Sequence, residues 1–73
     1  MLQALARVAR QARLGNGLRQ LDIATAAGVT HETISHLERG EGWPLDPDRI
    51  VRAYEQECDL EPGELWKRAA ADL

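Results

Sequence analysis

Seventy-three residues, 44% of them apolar, make one small domain with a thin core, to which a second copy of the chain would add stability. The single cysteine, Cys58, excludes an intrachain disulfide, and the lack of any CxxC or paired Cys/His spacing excludes a structural zinc site. The formal charge of −3 speaks against a general polyanion binder, and no apolar run approaches the roughly 18 residues of a membrane span.

The lone cysteine fits a reducing, cytoplasmic setting, and Arg7, Arg10 and Arg13 recur too regularly in the first turns for a signal peptide. Charge is unevenly spread. Residues 1–21 hold Arg7, Arg10, Arg13 and Arg19 with no acid, while residues 41–73 hold nine acids against four bases. One basic and one acidic face are therefore expected. Phe is absent, Ala and Leu are abundant, and Gly, Pro and Asn fall at punctuation points, so the composition predicts an all-α domain spanning residues 1–73.

A first helix is predicted over residues 2 to about 14, where Leu2, Leu5, Ala9 and Ala12 recur at helical steps. Gly15-Asn16-Gly17 ends it as a tight turn; with no preceding strand and no lysine at P-loop spacing, it is not a phosphate cradle. A second helix runs from about 19 to 26 with Ile23 and Ala24 inward, and Gly28 takes the left-handed position that turns the chain. Thr30 then caps a third helix over about 31–38, seated by Ile34 and Leu37 and followed by Gly40. Asp46 and Pro47 start a fourth, whose inward stripe is Ile50, Val51, Tyr54 and Cys58. A fifth begins near Glu61-Pro62 and carries Leu65, Trp66 and Ala69.

The third helix holds two histidines and a glutamate, which raises the question of a metal hydrolase. A zinc helix needs histidines four apart. His31 and His36 are five apart, so their side chains diverge by roughly 140° around a regular helix and cannot share one ion. Ser35, His36 and a neighbouring acid on one helix cannot converge as nucleophile, base and orienter, so no catalytic set, metal or cofactor is expected. Two helices joined by a glycine turn instead form a helix-turn-helix, whose second helix presents its first residues to base edges in the major groove. With Ile34 and Leu37 inward, His31, Glu32, Thr33, Ser35 and His36 are left as the reading surface.

The run Leu18-Arg19-Gln20-Leu21-Asp22-Ile23-Ala24, then Ala27-Gly28-Val29-Thr30, then Thr33-Ile34-Ser35 and Leu37-Glu38-Arg39-Gly40, resembles the Cro/CI-type, lambda-repressor-like helix-turn-helix domain of phage and bacterial repressors. The resemblance extends upstream through Arg10 and Arg13 and downstream through the fourth helix. It implies a compact five-helix fold with the helix-turn-helix at helices two and three, and a homodimer on double-stranded operator DNA. It further implies that Gln20 bonds a phosphate and braces His31, that Arg10, Arg19, Thr30 and Arg39 join it at the phosphates, and that Arg13 and Glu38 form a buried ion pair. Arg19 and Leu21 depart from the family's usual Thr or Ser and charged residue.

Leu21 could contact sugar atoms or a partner, or fold over the core edge. Trp43 is expected to pack against helix four, with a sugar-phosphate contact as the alternative; Leu60, Leu65 and Trp66 could close the core or form a dimer seam. The expected function is sequence-specific DNA binding as a transcriptional repressor. The rival is a protein-interaction module, such as an antitoxin or co-regulator, holding a protein partner through the acidic C-terminal half.

Overall fold

The computed structural model describes residues 1–73 and contains five α-helices and no strand. They are α1 (Leu2–Gly15), α2 (Gln20–Ala27), α3 (His31–Glu38), α4 (Pro47–Glu57) and α5 (Glu64–Ala71). The helix α1 buries Ala4, Leu5, Val8, Ala9 and Ala12, one stripe of a 3.6-residue period. Its end is closed by the Asn16 amide, which donates to the Ala12 carbonyl at 2.8 Å and satisfies one of the acceptors a helix terminus leaves free.

At the start of α2, the Asp22 carboxylate accepts from the Arg19 backbone N–H at 2.8 Å, which is half of a capping box. The helix ends at Gly28, whose φ of +69° is open to glycine at no steric cost. The Val29 N–H then returns to the Ala24 carbonyl at 3.0 Å, and the chain leaves α2 in a new direction. Thr30 Oγ1 accepts from the Thr33 N–H at 3.3 Å to open α3, and Asp46 does the same for the Arg49 N–H to open α4 with Pro47 in its first turn.

The helix α1 packs on α3, α4 and α5, and α2 lies against α3 and α4. Between them sit Leu5, Ile23, Ile34, Leu37, Ile50, Tyr54 and Leu65, each at most 2% exposed. Full burial of each such aliphatic side chain favours the fold by about 1.5–3 kcal/mol. Cys58 closes α4 inside this core, and burial, reinforced by the charge of Glu57, pushes its thiol pKa up, so it is a small apolar residue here.

The packing corrects one expectation and adds a partner for Trp43. The last helix begins at Glu64, not near Glu61-Pro62, because Gly63 leaves the right-handed path with φ +88°. The cap of α5 comes from another helix: the buried Glu55 carboxylate of α4 accepts from Gly63 N–H at 2.9 Å and Leu65 N–H at 3.1 Å. Trp43, expected against α4, stacks on Trp66 of α5 with ring centroids 6.1 Å apart and remains half exposed. Leu65 closes the core, Leu60 and Trp66 pack partly buried at its edge, and Leu21 stays half exposed on α2.

Candidate nucleic-acid interface

The residues expected to read bases lie on one arc of α3. Ile34, Leu37 and Glu38 are buried, which turns His31, Glu32 and His36 to solvent and leaves Thr33 and Ser35 half-buried at the margins. The two marginal hydroxyls have internal partners: Thr33 Oγ1 meets Thr30 Oγ1 at 3.0 Å, and Ser35 Oγ accepts from Arg39 at 2.9 Å. His36 Nε2 lies 4.0 Å from Glu41 Oε1, so His31 and Glu32 are the freest polar groups of the arc. The positive end of the α3 dipole and Thr30 lie at the same end as His31 and Glu32.

Behind the arc a buried network fixes the angle of α3. Arg13 of α1 donates from Nε and Nη2 to the two Glu38 oxygens, both at 2.8 Å, and from Nη1 to the Leu18 carbonyl at 2.9 Å. Tyr54 Oη donates to Glu38 Oε2 at 2.5 Å, and Gln20 Nε2 to Glu38 Oε1 at 3.1 Å. Four helices therefore meet on one carboxylate. The Gln20 amide, implied by the resemblance to brace His31, is turned inward because a buried carboxylate needs every donor within reach.

Burial opposes the charge on Glu38, but the bonds from Arg13, Tyr54 and Gln20 outweigh it and hold its carboxyl below the usual range. Burial, and donation to the Glu38 carboxylate, push the Tyr54 phenol far up, so it stays a donor. The linkage follows in sign. A depressed folded-state pKa gives stability that is complete above the unfolded value, about 4.3, and is lost as pH falls through the folded one. Urea unfolding at pH 5.5 and pH 3.5 is expected to show lower stability at the acid value, and equal midpoints would contradict the arrangement.

Most of the cations expected at phosphates are already paired. Arg19 holds Asp22 at 2.9 Å and Arg39 holds Glu41 at 2.7 Å, and each arginine lowers its partner's carboxyl pKa. Arg7, Arg13, Arg52 and Arg68 also face acids, which leaves Arg10, Arg49 and Lys67 without one. Sequence reasoning missed Tyr54 and Glu55 as polar anchors, since an inward stripe does not reveal where a hydroxyl or carboxylate finds its donors. The place of Arg49 beside α3 likewise depends on how α4 packs.

Two short helices joined through a left-handed glycine, the second offering a polar arc braced from behind, define a helix-turn-helix DNA-binding domain. The sequence pattern of the helix-turn-helix family matches residues 10–47, more than half of the chain, and the chain belongs to that family in its Cro/CI type. No curated protein and no solved structure matches it. The family is one of DNA-binding regulators, not of enzymes, and DNA binding is the general activity of this fold. No helix is long and apolar enough to cross a membrane.

Proposed function

We propose that the chain is a sequence-specific transcriptional repressor that lays the N-terminal part of α3 in the major groove of double-stranded DNA. The observation that carries this reading is the α3 arc: its apolar residues are buried, and the outward side holds His31, Glu32 and His36 with Thr33 and Ser35 beside them. Base discrimination belongs to these five residues. Affinity comes from phosphate contacts by Arg10, Arg19, Gln20, Thr30 and Arg39, with Arg19 and Arg39 exchanging Asp22 and Glu41 for the backbone. Gln20 sits at the first position of α2, where free backbone N–H groups favour an anion.

The protein acts as a homodimer on a pseudo-palindromic site. Partly buried Leu60 and Trp66 at the edge of the core give a second copy an apolar surface to cover. Glu32 is the specificity device, because an exposed carboxylate repels phosphates yet accepts from cytosine N4. The test is Glu32→Ala, compared with the wild type by sequencing the duplexes each retains from a random pool. The variant is expected to stay folded and to lose about 1–3 kcal/mol of preference at one base position. An unchanged profile would remove Glu32 from the reading surface.

A further inference from the structure

A cleft of about 460 Å³ opens between α3 and the start of α4, with Thr33 and His36 on one wall, Arg49 and Ile50 on the other, and Trp43 and Leu45 in the loop that closes it. We propose that this cleft is a phosphate site, with Arg49 as its cation, for a DNA phosphodiester beside the bases that α3 reads. The proposal rests on the DNA-binding reading above and adds a contact to it.

Arg49 is exposed and faces no acid, unlike Arg19 and Arg39. Its position is nonetheless defined at both ends. The backbone N–H is held by Asp46 Oδ1 at 3.3 Å, and the guanidinium lies over Gly28, with Nη2 only 2.6 Å from where a β-carbon on that residue would stand. The glycine that turns α2 into α3 thus also makes room for the guanidinium. Of the two carboxylates on the cleft wall, Glu41 is held by Arg39 at 2.7 Å with His36 Nε2 4.0 Å away. Asp46 keeps its charge but is turned to the α4 amide it caps and forms no ion pair with the Arg49 guanidinium. A phosphate at Arg49 displaces no internal partner, whereas one at Arg19 or Arg39 must break an ion pair first. Arg49 is therefore the cation near α3 whose full charge is available for counterion release.

Fluorescence anisotropy of a labelled duplex, titrated between 50 and 200 mM KCl, tests this with Arg49→Gln, Arg49→Lys and, as control, Lys67→Gln on α5. Arg49→Gln is expected to make the slope of log K against log[KCl] less negative by about 0.9. Its affinity deficit should be uniform across duplex sequences and shrink roughly three- to fourfold from the lowest to the highest salt. Arg49→Lys keeps the charge and the wild-type slope, and Lys67→Gln changes neither slope nor affinity. A wild-type slope in Arg49→Gln, or a loss confined to one base position, overturns the phosphate assignment while leaving DNA binding intact. Failure of the wild type to bind any duplex at low salt would overturn the DNA reading itself, and this inference with it.

Discussion

Glu38→Ala is expected to lower stability by about 3–5 kcal/mol, the cost of removing one partner from a buried charged pair. The reason is what remains: the Arg13 guanidinium, 8% exposed, keeps its charge with only the Leu18 carbonyl as partner, and the Tyr54 hydroxyl loses its acceptor inside the core. For a domain of this size each kcal/mol moves Tm by roughly 4–8 °C, so the midpoint should fall by at least about 12 °C. Thermal unfolding followed by circular dichroism measures this directly. The triple replacement Arg13→Met, Glu38→Met and Tyr54→Phe removes both charges and the phenol, leaving only the part-buried Gln20 amide to find a new acceptor, and it should recover most of the loss. If the triple variant were as unstable as Glu38→Ala, the network would be a source of net stability and not chiefly a device that fixes how α1, α2, α3 and α4 meet.

The second large effect is expected at Glu55. Its carboxylate, in a side chain 2% exposed overall, supplies the acceptors for the first amides of α5, which has no side-chain cap of its own. Glu55→Ala leaves those donors unpaired at the positive end of the helix dipole, a loss of about 2–4 kcal/mol. Because α5 is otherwise held by Leu65, Ala69, the Trp66–Trp43 stack and the exposed Arg7–Asp72 pair, the damage should be local at first. Hydrogen exchange is expected to show lost protection in residues 64–71 well before α2 and α3 are affected, with Glu55→Gln, which keeps a carbonyl acceptor, intermediate. Uniform loss across all five helices would contradict the capping role.

Much of this architecture was legible in the chain because its signals are local. Gly28 must turn α2 into α3, Thr30 and Asp46 can cap the residues just ahead of them, and Ile34 and Leu37 can only face one way on a short helix. The start of α5 differs from the sequence expectation because its cap lies eight residues away on another helix, while Glu61-Pro62 alone carries the local signal of a helix start. The stacking of Trp43 on Trp66 is not legible for a similar reason: Trp66 is distant in sequence and becomes a neighbour only through packing. In the candidate interface, the residue types pointed to a reading helix. The internal pairing of Arg19 with Asp22 and Arg39 with Glu41 depends on side-chain geometry that periodicity does not encode.

That pairing bears on how the domain discriminates. A chain of net charge −3 that neutralises six of its nine cations internally has little general attraction for DNA, so whatever binding it achieves leans on the α3 arc and on a few free cations. The central claim is sequence-specific DNA binding, and selection of bound duplexes from a random library by the purified chain at low salt tests it most directly. The account predicts an enriched motif, with two-fold related half-sites about one helical turn apart. No enriched motif, together with a protein that co-purifies in fixed proportion, would contradict it and favour a protein-binding module.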